Sequence, residues 1–316
     1  MKKSLVILLS CLLVLSMPGI SPAAHAAGAE SVTVVCSFYP IRIFSENVLR
    51  DVPGVSLETL APAGTGCLHD FQLMTGDLKK LDGALCLIIN GAGMEQTFLP
   101  LLTRERSDLP LVDCSDGIEL MKEDGEDNPH IWLSPFLAAR MTRNLGEGLA
   151  ALLPEHRETI LKNAETYAES LETLGQEMRD ALSGFAGASI VTFHEAFPYF
   201  ADAMGLNVLA AVTVEPDETP SPRLIARTVS LIREAGGCPL FSEPGVRLDA
   251  LNAIAQETGS PVYELDPVTD GENDPDAYGT AMRKNLETLT AALSAQAEYN
   301  KKKLPFREPM ISLFVL

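Results

Sequence analysis

The sequence predicts an α/β protein of two lobes, each a parallel-type sheet flanked by helices, the lobes bridged by one long helix. Three observations predict it. Apolar runs of strand length that lack a polar face alternate with helical segments, a proline-free helical stretch occupies the middle of the chain, and the strand-helix alternation restarts after it. About 290 residues remain beyond an N-terminal leader, more than one core usually serves, which also favours two lobes.

The first lobe is read as residues 27–150. "SVTVVCSFYP" (31–40) is a strand ending in a proline turn, and "IRIFSENVLRD" places Ile43, Val48 and Leu49 at helical spacing. "VSLETLAP" is a second strand. A glycine-led loop, "GCLHDFQL" (66–73), precedes a short helix for which Thr75 is the expected N-cap, with Asp77 in the first turn. "ALCLIIN" and "LPLVDCS" are further buried strands, and Pro135 opens a helical region after "HIWLSP".

The linking segment is 151–184. From Glu155 to Leu182 there is no proline and a single glycine, and those 28 residues as one helix span about 42 Å. That length suits a bridge between lobes better than packing within one. The second lobe, 185–300, then reads as strand and helix in "ASIVTFHEAFPYFADAMGL" and strand in "LNVLAAVTV". A helix in "SPRLIARTVSLIREAGG" is stopped by Gly236 and Gly237; "CPLFSEP" is a strand, "RLDALNAIAQETGS" a helix and "PVYELDP" a strand, before a closing helix. The tail at 301–316 is apolar but too short to span a membrane.

Residues 1–26 carry Lys2 and Lys3, an apolar run, and Ala24-His25-Ala26, the small-x-small pattern of a cleaved signal peptide. A soluble protein exported to the periplasm is expected. Lipid anchoring at Cys11 is the weaker alternative, because the apolar run continues well past it. Without the leader 22 basic residues face 43 acidic ones, a formal charge of −21. Such a surface argues against nucleic acid and anionic lipid as partners.

Five cysteines follow the leader: Cys36, Cys67, Cys86, Cys114 and Cys238. The odd number leaves a thiol over, and the lack of any C-x-x-C argues against a redox motif or zinc knuckle. Cys36 and Cys86, in strand-like runs, read as buried and inert.

Four histidines follow the leader. His69 stands between a strand and a helix, His130 is pinned by Pro129 and followed by Trp132, and His194 closes the strand "SIVTF". Ligands of open α/β sheets gather outside the carboxyl ends of the strands, where these three imidazoles could converge. With the carboxylate of Asp266, which ends the last predicted strand, they would complete a tetrahedral zinc shell with two ligands from each lobe. Each residue also has an ordinary reading: a lone loop histidine is commonly solvated or a helix cap, and Asp266 before Pro267 is a turn former. His156, at the start of the long helix, reads as a surface residue.

Taken together, "GCLHDFQLMTGDLKKL", "INGAGME", "NPHIWLSP", "VTFHEAFPYFADAMGL", "FSEP" and "LDPVTDGENDPDAYGTAMRKNLETL" resemble the zinc- and manganese-binding solute-binding proteins of bacterial ABC transporters, over essentially the whole mature chain. The resemblance implies a divalent metal, zinc first and manganese next, held between the lobes by residues matching His69, His130, His194 and Asp266. It also implies a membrane permease and its ATPase as partners. A monomer is expected, since there is one ligand set and no coiled-coil seam.

Two departures stand out. Where many zinc-binding members carry a His-rich acidic insertion, "MKEDGEDN" has Glu123, Asp124, Glu126 and Asp127 but no histidine: a solvated charge run or a weak cation-attracting patch. Cys67 lies two residues before His69, and a thiolate there would be a strong zinc ligand, subject to loop geometry that sequence does not give.

Three rival functions fit the sequence less well. A zinc hydrolase lacks H-E-x-x-H, since "HEAFP" offers Glu195 and then Phe197 and Pro198, and a saturated shell leaves no water to activate. A haem or siderophore binder needs a wide aromatic cleft, and only 6% of the chain is aromatic. A surface adhesin needs no convergent ligands.

Overall fold

The computed structural model describes residues 31–303 apart from Ala63, His69, Asp70, Asp124, 213–219 and 245–248. The leader, Cys11, the last 13 residues of the tail and the predicted ligand His69 therefore lie outside the described residues.

In chain order the first lobe comprises β1 (Val32–Cys36), α1 (Tyr39–Val48), β2 (Val55–Thr59), α2 (Thr75–Lys80), β3 (Ala84–Ile89), α3 (Leu99–Glu105) and β4 (Leu111–Asp113). A small antiparallel hairpin, β5 (Lys122–Glu123) with β6 (Glu126–Asp127), follows, then a 3-10 turn at Ile131–Leu133 and α4 (Pro135–Leu152). The bridge is α5 (Arg157–Leu182). Beyond it come β7 (Ser189–Thr192), α6 (Pro198–Met204), β8 (Asn207–Ala211), α7 (Pro222–Glu234), β9 (Leu240–Ser242), α8 (Asp249–Thr258), β10 (Val262–Glu264) and α9 (Ala277–Lys303).

The two lobes share one topology. The first sheet has strand order β2-β1-β3-β4 and the second β8-β7-β9-β10, parallel throughout, so β7 repeats the role of β1 and β9 that of β3. In each sheet the chain moves to one side of its first strand and then crosses to the other, which creates the switch point where a crevice opens at the carboxyl edge. Val34, Val35 and Cys36 of β1 and Cys86, Leu87 and Ile88 of β3 are fully buried, as strands covered on both faces require.

The bridge begins later than its proline-free composition suggests. Leu153, before Pro154, leaves the helical conformation (φ −123°, ψ 65°), and Pro154–His156 forms a 3-10 turn, so α5 starts at Arg157. Its buried stripe, Ile160, Ala164, Ala168, Leu171, Leu174, Met178 and Leu182, keeps the three-to-four spacing of a helix face. Gly146 lets α4 approach closely: a Cβ there would stand 2.4 Å from that of Ala164. One apolar core continues from β1 and β3 through α4 and α5 to Phe197 and Phe200 near α6 and Leu289 of α9, while a smaller core lies wholly in the second lobe around Val191, Leu240 and Ile254.

A second crossing reinforces the bridge. After β10 the chain returns over the first lobe, where Tyr39 donates to Glu272 O (2.7 Å), Asn47 Nδ2 to Pro275 O (2.9 Å) and Gly64 N to Asp270 Oδ1 (3.1 Å). Separating the lobes would expose shared apolar surface at about 25 cal/mol per Å², so the fold favours a fixed relative placement of their carboxyl edges.

Three local features differ from expectation. Thr75 is the first residue of α2 rather than its cap; Met74 occupies the cap position and donates its N–H to Asp77 Oδ2 at 3.0 Å. The seven-residue α3 is too short for a periodic signal. The acidic run holds a hairpin, turning at Gly125 with φ 93°, a conformation that glycine adopts without strain. No helix of the described residues is long and apolar enough to cross a membrane.

Candidate metal centre

His130 and His194 meet between the lobes. Their rings stand edge to face at 5.0 Å between centroids. One ligand atom each of His130, His194 and Cys67 lie within 4.8 Å of one another.

His130 is fully buried and held from three sides. Asn128 Oδ1 accepts from the His130 backbone N–H (2.9 Å) and lies 3.0 Å from Nδ1, while Asn128 Nδ2 donates to Glu195 O across the lobes (2.9 Å). Because the amide spends its N–H₂ on Glu195, its oxygen is the atom facing the imidazole, so Nδ1 carries the proton and Nε2 presents a lone pair. Trp132 packs on the ring at 5.1 Å. Behind His130, Asn90 Nδ2 donates to Pro129 O (3.0 Å), and Asn90 and Gly91 donate their N–H groups to Glu95, whose carboxyl burial pushes up to about 7. The "INGAGME" segment thus braces "NPH" rather than touching a ligand itself.

His194 follows β7, and sheet register explains its neighbour. Thr192 pairs with Phe241, so the residues two positions on, His194 and Glu243, emerge side by side; His194 Nδ1 and Glu243 Oε1 are 3.6 Å apart. Burial first, then the charge of Asp266, pushes the Glu243 carboxyl up to about 7. A cation on His194 reverses that cost by supplying the missing positive charge. Glu243 was present in "FSEP" as a motif without a role; its signal was the shared offset of histidine and glutamate from adjacent strand ends.

Cys67 comes from the loop after β2. Leu68 is buried, and Phe71 packs edge to face on Phe98 at 5.6 Å while its carbonyl accepts from Thr97 Oγ1 (3.0 Å). These anchors carry Cys67 across to the histidines. Burial, then the charges of Glu243 and Glu195, raise the thiol well above its ordinary range.

Asp266, predicted as the fourth ligand, is not in this group. β9 separates its strand, β10, from β7, so it starts two strand spacings, about 10 Å, from the His194 strand. Its Oδ1 accepts from Val268 N–H (2.7 Å), and Asn285 of α9 brackets its backbone (2.8 Å to both N and O). His156 is in the 3-10 turn before α5, partly buried beside Glu155 and outside the group. Cys36, Cys86, Cys114 and Cys238 are free and buried.

A polar pocket of about 530 Å³, lined by Glu126, Asp127, Asn128 and Glu195 among others, opens beside this centre. Lys122 pairs with Asp127 there, so part of the hairpin's charge is neutralised locally.

Zinc-binding protein AdcA of Streptococcus pyogenes serotype M6 is 30% identical over 319 residues, covering 92% of this chain and 61% of that protein. The metal ABC transporter substrate-binding lipoprotein ScbA of Streptococcus cristatus is 25% identical, covering 92% and 98%. The crystal structure of ZnuA superposes with a TM-score of 0.72 at 26% identity, covering 83% of this chain and 99% of that one. This chain thus spans about three fifths of the AdcA length but nearly all of ScbA and ZnuA. The family described as the periplasmic zinc-uptake complex component A matches residues 34–292, and with two parallel-sheet lobes on a long central helix the chain belongs to that family.

Proposed function

We propose that the chain is an extracytoplasmic receptor that captures one zinc ion between its lobes and passes it to an ABC importer, a membrane permease driven by its ATPase. The observation that carries this reading is the buried, tautomer-fixed His130 converging with His194 at the carboxyl edge of the second sheet. Family membership and the names of AdcA and ZnuA's family support zinc as cargo. Imidazole favours zinc over manganese, which prefers oxygen-rich shells. His69, from the sequence resemblance, is proposed as a further donor. For the remaining place Asp266 is the carboxylate the resemblance offers, and Cys67 is the donor within the observed group.

The chain works by binding and release, and the imidazoles of the buried His130 and the half-buried His194 serve as ligands rather than as acid-base groups. Export through the leader, with release into the periplasm after Ala26, fits the leader's small-x-small end; ScbA's description as a lipoprotein favours anchoring at Cys11 as the second reading.

Imidazoles, with an ordinary pKa of about 6.5, bind zinc only after losing a proton. Falling pH therefore sets protons against metal at each histidine. Competition titration from pH 7.5 to 5 is expected to show affinity dropping below about pH 6, more steeply than one proton per ion allows. A binding constant flat over that range would rule out a histidine-built site.

A further inference from the structure

We infer that Cys67 is a metal ligand, giving this receptor a sulfur-containing zinc site in which thiolate, rather than the Asp266 carboxylate, accompanies His130 and His194. The inference rests on the zinc-capture reading above and adds the chemistry that sets its selectivity.

Geometry carries it. The donor atoms of Cys67, His130 and His194 all fall within 4.8 Å of one another. Tetrahedral zinc, with bonds of about 2.3 Å to sulfur and about 2.0 Å to nitrogen, needs edges of roughly 3.3 to 3.6 Å. The three donors therefore need close by no more than roughly 1.5 Å, a side-chain adjustment. Asp266, in contrast, lies outside the group, with one oxygen already bonded to the Val268 N–H. Leu68, the next residue, is fully buried and anchors the chain beside Cys67.

The chemistry balances simply. As the metal–sulfur bond forms, the thiol proton passes to water and the ion takes the sulfur lone pair, with no change of oxidation state. Glu243 and Glu195, whose charges reach this thiol, shift from opposing a thiolate to neutralising part of the bound cation. Sulfur is a poor donor for manganese and a strong one for zinc, so the thiolate widens the gap between the two ions.

Cobalt(II), which occupies zinc sites and reports its ligands optically, is the probe. The full mature chain is titrated with cobalt and then zinc, alongside Cys67→Ser, Cys67→Ala and Asp266→Ala, with circular dichroism confirming that each folds. The wild type is expected to take up one cobalt with a near-ultraviolet thiolate-to-cobalt charge-transfer band. Both Cys67 variants should lose that band and bind zinc about tenfold or more weakly, with manganese affinity little altered. Asp266→Ala should keep the band. The other described cysteines are buried away from the group, so the band has one source. Cobalt bound without the band, or zinc affinity unchanged in both Cys67 variants, overturns the thiolate while leaving zinc capture standing. A wild type that binds neither cobalt nor zinc overturns both.

Discussion

His130→Ala is expected to abolish tight zinc binding, with affinity falling by more than the roughly 10- to 100-fold that loss of a merely supporting partner costs. The imidazole is fully buried, its tautomer is set by Asn128, and its ring faces His194 across the lobes. Alanine removes a directed lone pair that no neighbour among the described residues replaces in kind. The backbone N–H of residue 130 still donates to Asn128 Oδ1, so the fold is expected to persist while the site fails. Calorimetric titration measures it, with His156→Ala as the control, since His156 sits outside the group beside Glu155. Equal losses in the two variants would place the ligands elsewhere.

Trp132→Ala is expected to cost about 3 to 5 kcal/mol of stability, the range for truncating a large buried aromatic. Trp132 is fully buried and joins three parts of the molecule: its ring meets Phe38 at the end of β1 (5.2 Å) and His130 (5.1 Å), and its Nε1–H donates to Pro267 O on the returning segment (2.9 Å). Tyr278 of α9 in turn donates to Trp132 O at 2.8 Å. Truncation therefore opens a cavity where the lobes meet and leaves Pro267 O without its donor. Urea unfolding measures the loss. Trp132→Phe, which keeps an aromatic ring but loses the hydrogen bond and the volume of the second ring, should cost less than Trp132→Ala, about 1 to 3 kcal/mol. A loss below about 1 kcal/mol in Trp132→Ala would show that other contacts hold the two crossings together.

Much of this architecture was readable because parallel strands buried on both faces cannot hide their apolar runs: "TVVC", "ALCLII" and "SIVT" became β1, β3 and β7. The placement of His194 was readable for a related reason, since a residue just past a strand end has few places to go in such a sheet. What sequence could not give was lateral order. Glu243 and Asp266 both follow strands, β9 and β10, yet of those two only β9 lies beside β7, and it is Glu243 that reaches His194. The place of Cys67 beside the histidines is a tertiary fact with no local signature: the burial of its neighbour Leu68 is not readable from the loop sequence. Short elements escaped for want of length: α3 has under two full turns, and the acidic hairpin pairs just two residues on each side.

Zinc content of the mature protein, measured by elemental analysis after exhaustive dialysis, is the decisive quantity. A single centre built from His130, His194 and their loop partners predicts a stoichiometry near one ion per chain. A value near zero, or near three, would contradict it.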